Sequence, residues 1–435
     1  MKKFLIFFLL LSNCAYYNTF YNAQKYYSDG VKQEKEGGSG AGNFQKSVEK
    51  CEKVLKRYSG SKWVDDAIFL LGKDFYYLHQ LSKAKVNFEK IISDFSDSPF
   101  FDESLLFLGK IALNEGSLSE SVIFLNRAAE SKDSRIRMEA FKTNMEVYLK
   151  KDSPGKAIQA GEDFIQKYGT HIAEVYYILG SAYRDAGKYS EALKMFKRAM
   201  KESEKVKPED LIYRLALTYV TMDSLSQALS LIDQNQGNDS ITILKGEILQ
   251  RLGELDRAEE TFKSAENFRN RLGVIANYHL GQIKEEKGDI KSAQKLYSKA
   301  LNLGVFGDIT DKARAKGEIL EISSNMDSLR SDTLTKGKDP AYLNFRVGEL
   351  YALELKEPGE AVKWYENVFR DFPESPYAPK ALYVLMNIYT KELVDSTKVR
   401  ECLDLLLNHY PDTKYSEAAR EEYATYLQDT TSNRK

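Results

Sequence analysis

Small and large apolar residues recur along the chain in one repeated order. A Leu-Gly or similar small pair is followed by a Tyr or Phe, a turn Gly, an Ala and a second aromatic, all at helix-compatible offsets. The clearest copy spans 173–204, with Tyr176, Leu179-Gly180, Tyr183, Gly187, Tyr189, Ala192, Phe196 and Ala199. Downstream, Leu244, Gly246, Leu249, Gly253, Leu255, Ala258, Phe262 and Ala265 repeat it, then Leu280-Gly281, Gly288, Ile290, Ala293, Tyr297 and Ala300. Upstream stand Leu71-Gly72, Phe75, Leu81, Ala84 and Phe88, then Leu108-Gly109, Gly116, Leu118 and Leu125. Weaker copies surround Tyr148 and Ala157, and run through Ala216, Tyr219, Leu225 and Ala228. Successive markers at 72 and 109, 180 and 216, 216 and 246, and 246 and 281 lie 37, 36, 30 and 35 residues apart. A period of that size denotes stacked supersecondary units, each a pair of antiparallel helices with no room for strands.

The residue types carry the reason. Gly180 and Ala192 are small where the two helices of a unit cross, and Tyr183, Tyr189 and Phe196 fill the space around the crossing. Gly187 ends the first helix by turning left-handed. The order of residues resembles the tetratricopeptide repeat over nearly all of the chain after its first residues. The resemblance implies an all-α right-handed α-α superhelix, a solenoid of about nine helix-pair repeats.

Two stretches interrupt the rhythm. Gly37 to Gly42 reads as a flexible turn between a first helix, from about Thr19 to Lys35, and a helix around Val48 to Tyr58. From about Gly304 comes one helix near Thr310 to Ile322, then a polar tract ending Lys336-Gly337-Lys338-Asp339-Pro340. The sequence thus divides into 1–13, a leader; 14–303, a first repeat array; 304–339, an irregular connector with one helix; and 340–435, a C-terminal repeat block.

The leader changes the picture of where this array works. Met1-Lys2-Lys3, the apolar run Phe4 to Leu11, then Ser12, Asn13 and Cys14 form a secretory signal in miniature. The run is far short of the ~20 residues of a permanent span. Leu11-Ser12-Asn13-Cys14 resembles a lipobox, which implies that Cys14 becomes the lipid-modified first residue of the mature protein. Several acyl chains, at ~0.8 kcal/mol per buried methylene, hold a protein on a bilayer almost permanently. By the same resemblance, Ala15 in place of an Asp points to the outer membrane, facing the periplasm. Cys51 and Cys402 lie near opposite ends of the chain, too far apart to pair in a solenoid, and are expected as free, buried thiols.

Near the end, Asp371-Phe372-Pro373-Glu374-Ser375-Pro376-Tyr377-Ala378 and His409-Tyr410-Pro411-Asp412-Thr413-Lys414-Tyr415 punctuate two helices, with a looser version at Asp94 to Pro99. Pro stops one helix and the Ser or Asp oxygen meets the free amides of the next. The phrase resembles the BamD-like periplasmic repeat lipoproteins, and the tract Ala15 to Ala23 after the Cys looks like the start of outer-membrane repeat lipoproteins and reads as a capping first helix whose aromatics pack on the next unit. That likeness implies other envelope proteins as partners, the β-barrel assembly machinery among them.

Composition removes several classes. Charged residues are 29% and hydrophobic ones 43% of 435, enough to bury a continuous core. With 63 Lys plus Arg against 64 Asp plus Glu, there is no basic excess for nucleic acid. The four histidines, His79, His171, His279 and His409, are scattered, and no Cys or His pair has metal-ligand spacing. No phosphate-binding Gly loop or Gly-x-Ser-x-Gly occurs. Neither an enzyme nor a cofactor is expected, beyond the covalent lipid at Cys14. Function then falls to the concave surface. The resemblance places ligands on the first helices, which selects Phe69, Lys73, Tyr76, Tyr177, Ser181, Arg184, Tyr213, Glu247, Gln250, Tyr278, Gln282 and Glu285. A scaffold of an envelope complex and a module that captures peptides or cell-wall fragments both suit such a surface.

Overall fold

The computed structural model describes the backbone of residues 2–169, 173–202, 206–235, 237–331 and 339–424, with side chains from residue 18 on and excluding 325–331. Every described element is helical. The chain forms two compact units, residues 1–222 and 223–435.

In the first unit, α1 (Lys2–Lys35) and α2 (Ala41–Arg57) are followed by α3 (Val64–Tyr77), α4 (Leu81–Asp94), α5 (Phe101–Asn114) and α6 (Leu118–Ala128). Then come α7 (Ser134–Lys150), α8 (Pro154–Tyr168), α9 (Ala173–Asp185), α10 (Tyr189–Lys201) and α11 (Pro208–Thr221). From α1 to α10 each odd helix packs on the next even one and each pair on its neighbour, and α11 packs on α10. Ile68, Phe69, Ala84, Phe88, Ile91, Leu108 and Ile111, from α3, α4 and α5, share one core. Burying apolar faces between successive pairs is what a single pair cannot do alone.

In the second unit, α12 (Leu225–Asp233), α13 (Asp239–Arg251), α14 (Leu255–Lys263), α15 (Arg271–Glu286) and α16 (Ile290–Asn302) continue the pattern. The segment expected as an irregular connector holds α17 (Asp308–Ser331), longer than the single helix read from the sequence. Its Ala315, Ile319 and Ile322 share a core with Leu343, Val347, Leu350 and Leu355. The apolar stripe formed by Ala315, Ile319 and Ile322 is therefore buried against the helices that follow, which makes this part of α17 a packed layer of the unit. Next come α18 (Pro340–Glu349), a π-helical turn (Leu350–Leu355), α19 (Pro358–Asp371), α20 (Tyr377–Lys391), α21 (Ser396–His409) and α22 (Lys414–Glu422).

Turn geometry counts the repeats. Among the described residues, ten with left-handed backbone end first helices: Gly37, His79, Gly116, Asp152, Gly187, Asp223, Gly253, Gly288, Lys356 and Val394. At Gly187 the chain closes in the manner of a Schellman cap, with Gly187 N donating to Arg184 O at 2.9 Å and Lys188 N to Tyr183 O at 2.8 Å. His79 does the same without glycine, through Tyr76 O and Phe75 O at 3.0 and 2.9 Å.

The helix crossing is set by a small residue facing a large one. A Cβ on Gly72, Gly180 or Gly246 would fall 2.7, 2.7 or 2.6 Å from the ring of Phe88, Phe196 or Phe262, each sixteen residues later. In the weak repeat of α7 and α8 the roles are exchanged. Met145 stands on the first helix and Gly161 on the second, where a Cβ would lie 2.7 Å from Met145 Cε. The volume at the crossing is conserved although the glycine signal is missing from its usual place.

The loops between repeats match the expected punctuation. Ser98 Oγ accepts from Phe100 N at 3.3 Å, and Ser375 Oγ from Tyr377 N at 3.3 Å. Cys51 and Cys402 are buried free thiols, each with its thiol pushed up chiefly by burial, Cys402 to about 12. Residue 1, the side chains of the apolar leader and of Cys14, His171, and the tract Lys336-Gly337-Lys338 lie outside the described residues. No described helix is long and apolar enough to cross a membrane.

Candidate functional site: the first-helix face

The residue after the marker glycine points along the first-helix face and meets the next first helix. Lys73 Nζ lies 3.5 Å from Glu103 of α5, and Lys110 Nζ lies 2.7 Å from Glu139 of α7. Lys142 bridges onward, 2.8 Å from Glu139 and 3.2 Å from Glu174 of α9. Burial alone would raise the Glu139 carboxyl, but the hydrogen bonds from Lys110 and Lys142 hold it down at about 2.

The second unit carries the same ladder with the charges exchanged. Here the earlier helix supplies the acid: Glu247 faces His279 Nε2 at 3.6 Å, Glu285 faces Lys316 at 3.3 Å, Glu318 faces Arg346 at 2.9 Å and Glu349 faces Lys380 at 3.6 Å. The lysine and arginine bridges are partly shielded from water, so each fixes the register of neighbouring repeats better than an exposed pair would.

The residues selected from the sequence divide in two. Phe69 faces no open groove: it is 5% exposed and its ring stacks on Phe100 at 4.6 Å, because the loop into α5 folds over it. Ser181 is buried and its hydroxyl donates to Tyr177 O at 3.1 Å in its own helix. Tyr278 is buried as well, its hydroxyl receiving Gln282 Nε2 at 3.2 Å, and burial before all else pushes its phenol up. Lys73, beside Glu103, also lies 4.8 Å over the Tyr27 ring, and Glu285 is held by Lys316.

The others stand at the surface of the face. Tyr76 is half-buried, edge-on to Phe107 at 5.2 Å. Tyr177 is half-buried, with Arg214 Nε donating to its hydroxyl at 3.2 Å. Arg184 reaches Asp185 Oδ1 at 2.8 Å, and Tyr213 is half-buried beside Arg214. Glu247 and Gln250 converge on His279, whose Nδ1 lies 2.8 Å from Gln250 Oε1 and whose ring stacks on Phe262 at 5.0 Å. Within each unit the structure therefore brings neighbours together: Tyr177 with Ser181 in one, Glu247 with Gln250 and Tyr278 with Gln282 in the other.

Sequence reasoning missed the partners: Glu103, Glu139, Lys142, Glu174, His279, Lys316, Arg346 and Lys380. A signal for the first three bridges was present. Glu103, Glu139 and Glu174 each stand six residues before the next repeat's marker, at 109, 145 and 180. Among the described residues no group of three His, Cys, Asp or Glu is placed to hold a metal ion.

Two family models of the tetratricopeptide repeat match this chain, at residues 173–205 and 274–303. Those segments are α9 with α10, and most of α15 with α16, so these two helix pairs match the tetratricopeptide repeat. Among curated proteins none matches the sequence. Solved structures with a similar fold include a tetratricopeptide repeat protein from Parabacteroides merdae, 15% identical, covering 58% of this chain and 98% of that one at a TM-score of 0.46. PilF of Pseudomonas aeruginosa is 15% identical, covering 50% and 91% at 0.39. The C-terminal part of a repeat-containing protein from Cytophaga hutchinsonii is 15% identical, covering 67% and 98% at 0.40.

Proposed function

We propose that this chain is a non-enzymatic scaffold that binds other proteins along its first-helix face, lipid-anchored at Cys14 to the outer membrane and facing the periplasm. One observation carries the binding part. The first helices present half-buried Tyr76, Tyr177 and Tyr213 beside fixed charges, on a backbone whose repeats are locked in register by the ion-pair ladder. Tyrosine offers contact area and a directed hydrogen bond at small entropic loss, and a rigid support means that little order has to be created on binding. The anchor rests on the leader and lipobox-like residues before Cys14. The specific version, BamD-like help in β-barrel assembly, rests on the phrase from Asp371 to Ala378 and its helix-punctuating geometry.

The test is a cross-linked pull-down of the tagged chain from solubilised envelopes, with Cys14→Ala as the mislocalised control. Enrichment of the barrel-assembly protein and its lipoproteins, lost in the control, supports the full reading. Reproducible enrichment of a different envelope complex keeps the scaffold and removes the BamD-like role. Intact chain in the cytosol overturns the anchor. Recovery of no protein, with binding of peptides or cell-wall fragments by the purified chain, replaces the scaffold by a ligand-capturing module.

A further inference from the structure

One repeat of the second unit departs from the rest in a way that opens a cavity. Gly348 faces Tyr365, with 2.8 Å from a built Cβ to the ring, but the two stand seventeen residues apart instead of sixteen. The extra residue lies in the first helix, where Leu350–Leu355 form a π-helical turn. Its end shows the same surplus: Glu357 N donates to Tyr351 O at 2.8 Å, one residue further than Gln80 N reaches to Phe75 O. Lys356 then takes the left-handed position at φ 57°. A π turn is wider than the α-helix and loses packing along its axis, and such turns are retained mostly where they shape a functional surface.

Beside this turn lies a cavity of about 490 Å³, between the π turn, Tyr365 of α19 and the face of α20 that carries Val384 and Ile388. That volume falls in the range of about 300–1,000 Å³ typical of ligand pockets. Its walls are mainly apolar. Leu353, turned outward by the extra residue, is 70% exposed at the rim, and Leu393 and Val394 are exposed directly after the lining residue Glu392. Apolar side chains held in water around a concave site mark a place where a partner covers them.

The charges at the site identify the partner's character. Lys380 is occupied, 3.6 Å from Glu349 and 4.1 Å over the Phe345 ring. Lys356 and Lys391 line the cavity with no ion pair among the described residues, against one unpaired acid, Glu392. Two free ammonium groups flanking an apolar hole suit a bulky apolar side chain with carboxylates next to it.

We infer that this cavity is a docking pocket for an extended protein segment that carries a Phe or Leu anchor flanked by Asp or Glu. The anchor enters over Ala352 and Val384, displacing water from apolar walls, and the flanking carboxylates meet Lys356 and Lys391. The inference rests on the reading of the chain as a protein-binding scaffold and assigns one part of that surface its partner chemistry.

The experiment measures fluorescence polarisation of three labelled ten-residue peptides against the full chain. One is Gly-Ser-Gly-Phe-Glu-Glu-Leu-Gly-Ser-Gly; the second has Lys for both Glu, and the third has Ser for Phe and Leu. The acidic apolar peptide is expected to bind at least tenfold more tightly than the other two. Ala352→Trp, which fills the cavity, and Lys391→Glu are each expected to weaken it at least fivefold. Deletion of Leu353, which restores the sixteen-residue spacing, is expected to abolish it. Circular dichroism and a thermal melt confirm that each variant is folded; Lys391→Glu, on the surface, serves if the core variants do not fold. Equal binding of the three peptides, or binding indifferent to these changes, overturns the inference. So does binding of sodium laurate, seen by isothermal titration, with no binding of the acidic peptide, which would make the pocket a site for anionic amphiphiles. If the acidic peptide still binds the Ala352→Trp chain unchanged, the pocket falls and the scaffold stands; if no partner is captured by the unaltered chain, the scaffold itself falls.

Discussion

The side chain that Gly180 lacks would stand 2.7 Å from the ring of Phe196. Phe196 is fully buried, so the ring has nowhere to retreat. Gly180→Leu is expected to destabilise the first unit by about 2–3 kcal/mol through overpacking. Phe196→Ala, which leaves a hole at the same crossing, costs about 3–5 kcal/mol. Urea unfolding followed by far-ultraviolet circular dichroism checks both, and a Gly180→Leu chain as stable as the parent would refute the close crossing.

The exchanged pair allows a sharper test. Gly161→Phe alone collides with Met145, whereas Gly161→Phe combined with Met145→Gly recreates the arrangement of the other repeats. The double variant is expected to recover most of the stability lost by the single one, a non-additivity of at least about 1 kcal/mol in a double-mutant cycle.

Val394 ends α20 with φ 51°, an angle that a β-branched residue adopts only under strain, and its side chain is 78% exposed. Nothing in the core holds it there. Val394→Gly is expected to stabilise the second unit by about 1 kcal/mol. A melting temperature that fails to rise would mean that the strain is absent.

Asp74 is fully buried beside Ser47, and burial pushes its carboxyl up to about 8 against the opposing pull of the Ser47 hydroxyl and Lys73. A raised value means that the folded state favours the protonated acid. The stability this contributes is complete below about pH 4, where the unfolded carboxyl titrates, and is lost as pH rises through about 8. Asp74→Asn should therefore leave stability near pH 4 little changed and make the chain more stable than the parent at pH 9. Thermal melts across that range decide it, and parallel pH profiles would exclude the effect. Glu139 runs the other way: its lowered carboxyl adds stability above about pH 4 that fades as pH falls towards 2.

If the first-helix face binds protein, Tyr177→Ala and Tyr213→Ala weaken capture of the partner at least tenfold, about 1.4 kcal/mol, with little change in melting temperature. Phe69→Ala is expected to act in the opposite sense, lowering the melting temperature because its ring is packed on Phe100. Isothermal titration with the recovered partner, beside melts of the same variants, separates the two roles.

Short-range physics made much of this legible from the residues alone. Gly72, Gly180 and Gly246 reveal the crossing because only a hydrogen fits there, and Gly187 reveals the turn because its φ of 73° is one that other residues adopt only at a cost. Both demands arise within a single helix pair, so they recur at a constant spacing. His79, Asp152 and Val394 fill the same turn without glycine, and Met145 with Gly161 fills the crossing in reverse. There the neighbouring residues impose the geometry, and a residue-by-residue signature fades. The candidate site was legible only as a set of positions on first helices. Which of them remain open was decided by partners roughly thirty residues away: Glu103 engages Lys73, Lys316 engages Glu285, and Phe100 covers Phe69. The seventeen-residue interval from Gly348 to Tyr365 was also written in the chain, but its outcome was not. An added residue can lengthen a turn, as before Val394, or widen a helix, as at Leu350–Leu355. Packing against α17 and α19 accompanies the second and shapes the cavity, because tertiary contacts set which backbone distortion buries more apolar surface.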